Sequence, residues 1–224
     1  ATAEILVLEE NVDAVREYAA SVQGAWREEY AGTDEGITVT VEDEGKQEVR
    51  VLHPTSKEKV IFFLVNVPYG VQKMSGTIKG LVETSTNIGI LNTSENEVMG
   101  SSSIRSSVET ARDSLSDKIA YLTEFLGGEY ERQGVYPAWE YRKDSPLRDK
   151  MVEVYEEMYG QKPNVVAIHA GLECGLFYKK MEGLDCVSLG PDMKDIHTSE
   201  EVLSISSTER VWKYLVKVLE ALKE

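Results

Sequence analysis

The chain has 224 residues, with 39 Asp and Glu against 24 Lys and Arg, a net charge of −15, 42% hydrophobic residues and three histidines. That length suits one large domain or two small ones with a buried core, and the charge repels phosphate backbones and anionic lipid, so neither nucleic acid nor membrane is an expected partner. The longest nearly apolar run, 60–67, is interrupted by Asn66 and falls far short of the ~20 residues that a spanning helix needs.

Residues 2–8 read as a short strand. Glu4, Glu9, Glu10 and Asp13 precede the first basic residue, Arg16, the wrong charge order for a secretory signal, and a cytoplasmic protein is expected. Cys174 and Cys186 are the only thiols and lack CxxC spacing. They form no disulfide framework, which fits a reducing compartment and leaves a single disulfide open. Val12, Val15, Ala19, Val22 and Trp26 recur at helical spacing up to a stop at Gly32. Ile37, Val39 and Val41 alternate with polar residues as a half-buried strand does, and Asp43-Glu44-Gly45 turns toward a partner strand at 49–52. A helix is predicted from Thr55 to Val67, ended by Pro68 and Gly70.

Strands around 81–91 and 98–106 flank the polar turn 92–96. The next helix carries the clearest stripe, Val108, Ala111, Leu115, Ile119, Leu122 and Phe125, with Gly127-Gly128 as its stop and a strand near 130–135 after it. Helices alternating with antiparallel strands predict a two-layer α+β sandwich. Beyond Tyr136-Pro137 the pattern becomes βαβ-like: a helix over 145–159, an apolar strand at 165–168, a helix over 172–181 and a strand at 186–189. Such strands belong to an α/β sheet covered on both faces, with a last helix presenting Val211, Leu215, Leu219 and Leu222. A domain boundary is expected near 137–142.

His169 and His197 lie in loops just past the two apolar strands, where open α/β sheets bind ligands, although a loop histidine is more often a hydrogen-bonded structural residue. His53, before Pro54, reads as a surface residue. No HxD, HExxH or paired-histidine spacing is present, and no P-loop, GxGxxG or nucleophile elbow. The Glu pairs at 28–29 and 156–157 fall on wet helix faces, and those at 9–10 and 200–201 read as structural too.

Several strings are specific: GLVETSTNIG at 80–89, IRS at 104–106, YPAW at 136–139, Ser145-Pro146, KPN at 162–164, IHAGLECGLF at 168–177 and VSLGP at 187–191, with His197 placed 26 positions after Gly171. On these strings the chain from Lys79 onward resembles the C-terminal half of the bacterial aminoacyl-histidine dipeptidases, cytosolic two-metal Xaa-His peptidases; residues 1–78 match only in rough pattern. The resemblance implies a catalytic α/β domain interrupted by a ferredoxin-like lid, with residues 1–138 the later part of the lid and 139–224 the closing segment of the catalytic domain. It implies that the N-terminal half, with the HxD motif, the bridging aspartate and the general base, lies outside this chain.

The resemblance further implies that His197 is a metal ligand, that Arg105 binds the substrate's terminal carboxylate, as a planar and permanently charged fork can, and that Gly171 lines the substrate pocket. The ordinary alternatives are a surface ion pair for Arg105 and a turn glycine for Gly171. His169, Glu173 and Asn87 have no assigned role. The implied cofactors are two divalent ions, zinc first, with cobalt and manganese as alternatives. The implied partners are a dipeptide, the missing half and a second copy through the lid. This chain alone is expected to hydrolyse nothing. A non-catalytic lid-type dimerisation module, and a related metallo-carboxypeptidase or deacylase, are the rival readings.

Overall fold

The computed structural model describes residues 1–168 and 172–223. Two compact units divide the chain, Ala1–Glu58 and Lys59–Glu224.

In the first unit a 3₁₀ turn, Glu9–Asn11, leads into α1, Val12–Glu29. The expected apolar stripe exists: Val12, Val15, Ala19 and Val22 are half-buried, whereas Trp26 is exposed. Residues 37–41 run extended, with Ile37 and Val39 half-buried and Thr38 and Thr40 exposed, so their alternation is that of a strand. They have no ladder partner among the described residues, and α1 side chains take up backbone groups instead: Gln23 Oε1 accepts the Val39 N–H at 2.8 Å and Arg27 Nε donates to the Ile37 carbonyl at 2.9 Å. Segments 2–8 and 49–52 are likewise outside any described ladder. The acidic turn forms as expected, Asp43 Oδ1 accepting the Gly45 N–H at 2.9 Å while Gly45 sits at φ +76°.

Helix α2, Pro54–Asn66, carries the apolar run 60–67 and crosses the division between the units. Gly70, at φ +77°, then turns the chain into β1, Gly70–Met74, a strand that the weak alternation of its five residues had not suggested. With β2, Val82–Thr93, and β3, Val98–Ser106, it forms an antiparallel sheet of order β1-β2-β3. Thr84, Thr86 and Ile88 on β2 face the half-buried side with Ser102, Ile104 and Ser106 on β3. Helix α3, Glu109–Phe125, runs back against β3 and buries Leu115 and Ile119 from the predicted stripe, although its last member, Phe125, is exposed. Gly127 at φ +80° ends it, as the Gly-Gly pair foretells. Residues 130–135 form no ladder among the described residues.

Helix α4, Pro146–Tyr159, starts where its sequence dictates: Ser145 caps it by accepting the Arg148 N–H at 3.1 Å, Pro146 fills the first turn and Gly160 closes it at φ +70°. Helix α5 is Glu173–Lys180, and α6, Ile205–Ala221, follows a short hairpin of β4, Met193–Lys194, and β5, Val202–Leu203. Helices α4 and α6 pack together through Met151, Val154, Tyr214 and Val218. The Tyr214 hydroxyl donates to the Met151 carbonyl at 2.7 Å and its ring meets Tyr155 edge-on at 5.4 Å. The inward face of α6 is therefore Ser207, Val211, Tyr214, Val218 and Ala221, rotated from the predicted one; Leu219 and Leu222 are 53% and 49% exposed. The two apolar segments 165–168 and 186–189 have no ladder partner among the described residues, and Val165, Val166 and Ile168 stand 49%, 71% and 49% exposed.

Asp185 ties the second of these segments to α4. Its carboxylate accepts the Ser145 hydroxyl at 2.7 Å and the Leu147 N–H at 3.0 Å. Burial pushes its pKa up, but those hydrogen bonds, with Arg142 and Arg148 nearby, outweigh burial and hold it below the ordinary carboxylate value. A folded-state pKa below the unfolded one contributes stability that is present at neutral pH and lost as the pH falls through the folded value. Asp185→Ala is thus expected to cost about 2 kcal/mol at pH 7. Urea unfolding checks this, and the gap between wild type and variant should close as the pH falls below about 4.

Candidate functional site

Arg105 stands on β3 opposite Ser85, two pairs along the ladder from Asn87 and Ser103. The β pleat places Arg105, Ser103, Ser85 and Asn87 on one face, Arg105 and Asn87 exposed. Glu83 shares that face, but it is buried and Lys73 Nζ lies 2.7 Å from its carboxylate. Hydroxyl and amide side chains thus occupy three of the sheet positions around Arg105, and the Glu83 carboxylate another. Among the described residues no side-chain hydrogen bond or ion pair is seen at Arg105.

The strand end that carries Arg105 is fixed by the next residue. Ser106 Oγ bonds Thr84 Oγ1 at 2.9 Å across the ladder, donates to the Val108 carbonyl at 2.9 Å and accepts the Val108 N–H at 3.1 Å. One hydroxyl therefore locks β2, the end of β3 and the start of α3.

His197 lies in the loop between β4 and β5, exposed, with φ +68°; Asp195 in the same loop has φ +51°. A left-handed backbone at a non-glycine residue costs of order 1 kcal/mol and persists only when neighbours enforce it. Here the Glu201 carboxylate accepts the His197 N–H at 2.8 Å, and the Asp195 carbonyl accepts the Thr198 hydroxyl at 2.7 Å and its N–H at 3.1 Å. The loop hangs from the start of α6: Ser204 caps that helix and donates its N–H to the Asp192 carbonyl at 3.0 Å, while Ser207 Oγ accepts the Asp192 N–H at 2.8 Å. Glu201, read from sequence as one of a structural pair, turns out to shape the loop that presents His197.

Gly171 and His169 lie outside the described residues. The following string is described. Glu173 is exposed at the start of α5, and Gly175 is buried where a Cβ would come within 2.8 Å of the Pro137 carbonyl oxygen, so any side chain there would push apart α5 and the YPAW segment. Gly175 was visible only as a member of the IHAGLECGLF string and Asp185 not at all, because both act through residues some 40 positions away.

No hydrogen bond or ion pair joins Arg105 to His197. Among the described residues no three His, Cys, Asp or Glu side chains come together as a metal site. These donors do not by themselves fit a pair of divalent ions, and His197 is a single candidate ligand. No helix among the described residues is long and apolar enough to cross a membrane.

No protein-family model matches the chain. It is 30% identical over 219 residues to the cytosol non-specific dipeptidase of Escherichia coli (strain K12), covering 98% of this chain and 45% of that protein. It superposes on the crystal structure of aminoacylhistidine dipeptidase from Vibrio alginolyticus with a TM-score of 0.82 and 34% identity, over 95% of this chain and 43% of that one. The chain is homologous to these dipeptidases. The mixed α/β fold with small antiparallel sheets agrees with that relationship, and so does the expected resemblance. Aminopeptidase PepT from Bacillus cereus ATCC 10987 shares the fold alone, with a TM-score of 0.57 and 15% identity over 75% of this chain. This dipeptidase homologue spans less than half the length of the relatives it matches.

Proposed function

We propose that the chain is part of a cytosolic, metal-dependent dipeptidase that cleaves Xaa-His dipeptides, and that it contributes the carboxylate grip and one metal ligand. The observation that carries this reading is the 34% identity and 0.82 TM-score to the aminoacylhistidine dipeptidase over 95% of the chain. Arg105 binds the dipeptide's terminal carboxylate: an exposed guanidinium sharing its face with Ser85, Ser103 and Asn87 suits bidentate recognition of a small anion. His197 is one ligand of two divalent ions, zinc, cobalt or manganese, whose remaining ligands come from outside this chain. Gly171 lines the pocket. Residues 1–138 are lid and residues 139–224 close the catalytic domain, so the functional boundary differs from the division into compact units.

Exposed apolar side chains support an additional protein partner: Val165, Val166 and Ile168 are exposed, as are Ile205, Trp212 and Leu219 on α6. The 224-residue chain alone is therefore expected to bind a hydrophobic dye such as ANS strongly and to hydrolyse no β-alanyl-histidine. A product of the relatives' full length should hydrolyse it, lose that activity to a chelator and regain it with one of the three metals. Hydrolysis by the short chain, or silence of the long one, would sink this reading.

One feature favours a second reading, association without catalysis: β3 is a nine-residue edge strand in its sheet. A silent full-length product that sediments as a dimer would support it.

A further inference from the structure

We propose that Glu109, Arg112 and Lys179 strap the linker 136–139, and that Lys179 is thereby a positioning residue for Arg105: it fixes the strand that carries Arg105 relative to the part of the chain that carries His197. The consequence for catalysis rests on the dipeptidase reading above; the strap itself does not. Two helix ends meet at the linker. Lys179 lies in the last turn of α5 and Glu109 in the first turn of α3, where a cation and an anion are each favoured by the helix dipole. Lys179 Nζ donates to Glu109 Oε1 at 3.0 Å across 70 residues of chain.

Each helix uses one face for this. Gly175 and Lys179 are four residues apart on α5, and Glu109 and Arg112 three apart on α3, so each pair shares a face. On α5, Gly175 is seated where a Cβ would come within 2.8 Å of the Pro137 carbonyl oxygen. On α3, Arg112 Nη1 donates to the carbonyl of Tyr136, while Asp113 Oδ1 holds the same guanidinium at 3.0 and 2.8 Å. Consecutive linker residues are thus held by α3 and packed against α5. Pro137 stiffens the linker further, because its own φ is fixed and the residue before it is kept out of the helical region. Glu109 Oε1 also accepts from Arg112 Nη2 at 3.2 Å, so the three charges form one chain over the linker. The hydrogen bond from Lys179, then that from Arg112, lowers the Glu109 pKa, and the carboxylate stays charged at neutral pH.

The strap reaches Arg105 and His197 through short, braced steps. Glu109 follows closely on Ser106, whose hydroxyl locks the end of β3 to the start of α3, and Arg105 is the neighbour of that serine. On the other side, Arg142 Nη1 donates to the Gly183 carbonyl at 2.8 Å just beyond α5, and Asp185 binds Ser145 and Leu147 at the start of α4. Helix α4 packs on α6, and Ser207 of α6 holds the His197 loop at Asp192. The side chains of Glu109 and Lys179 are 43% and 59% exposed, so water screens the pair and its bias is modest, about threefold to fivefold. A bias of that size adjusts the angle between two parts that are already folded.

Pulsed electron paramagnetic resonance tests this in a protein of the relatives' full length, with nitroxides on p-acetylphenylalanine in place of the exposed Tyr121 of α3 and Glu157 of α4. Wild type and Lys179→Arg should give one narrow distance distribution. Lys179→Met should give a broader one, and sodium chloride at about 1 M should broaden the wild type in the same way. Lys179→Met should also lower kcat/KM for β-alanyl-histidine about threefold to fivefold, and Lys179→Arg should keep it. The dipeptide amide, which offers Arg105 no carboxylate, should be cleaved by Lys179→Met as by wild type. A distribution in Lys179→Met as narrow as the wild type's, or an equal loss on acid and amide, would overturn the proposal. If the full-length protein cleaves no dipeptide, the dipeptidase reading fails, and the distance distribution alone decides the strap.

Discussion

Replacing Arg105 with alanine in a protein of the relatives' full length is expected to lower kcat/KM for β-alanyl-histidine by about 100-fold, through KM more than kcat. Loss of a charge-assisted, two-pronged grip on a carboxylate removes on the order of 3 kcal/mol. Arg105→Lys should fall between, since a lysine ammonium keeps the charge and loses the fork. The decisive comparison is with the dipeptide amide, which has no carboxylate to hold. Wild type should handle the amide about as poorly as Arg105→Ala does, and the variant should barely distinguish amide from acid. A variant that still prefers the acid strongly would remove Arg105 from the site. Because Ser106, and not Arg105, locks the strand end, the substitution should leave the fold intact.

His197→Asn is the replacement that tests the second position. Asparagine tolerates a left-handed backbone, so it keeps the loop that Glu201 and Asp195 shape while removing the imidazole. In the full-length protein we expect at least a 100-fold loss of activity, about the upper end of what losing a supporting residue around a metal costs, together with less bound metal per chain by elemental analysis. Glu201→Gln provides the contrast. It keeps an acceptor for the His197 N–H and should retain most of the bound metal. Unchanged metal content in His197→Asn would return His197 to the ordinary alternative, a structural loop residue.

The parts of the fold that were legible in the sequence are those whose signals are local. Ser145-Pro146 and Gly160 bracket α4, Gly127 ends α3, and the polar turn at 92–96 joins β2 to β3, each through residues a few positions apart. The face of α6 was not legible for a physical reason. The helix carries apolar residues around most of its circumference, and the choice among faces is made by distant partners: the Met151 carbonyl that receives the Tyr214 hydroxyl, and the Asp192 N–H that Ser207 accepts. The alternation at 37–41 announced the half-burial of Ile37 and Val39, but no strand is assigned there, since alternation cannot say whether a neighbouring strand exists. Of the candidate site residues, Arg105 was singled out through the IRS string and His197 through its spacing from Gly171. The residues that brace them, Ser106 and Glu201, were invisible as such because a serine and a glutamate are common everywhere. Only the hydrogen bonds reveal what they do.

The segment 165–168 has a consequence for how such a chain survives its own synthesis. Four consecutive apolar residues, three of them exposed and none in a ladder among the described residues, form a template onto which another copy can stack edge to edge. Before them, across Asn164, stand Lys162 and Pro163. The ammonium penalises stacking of identical registers, and the proline, with no N–H, cannot donate to an incoming strand, so any growing intermolecular sheet is truncated at Asn164. This dipeptide acts as a gatekeeper for the interval between emergence from the ribosome and docking. Removing it should leave the folded protein much as it is and raise the fraction that precipitates on refolding.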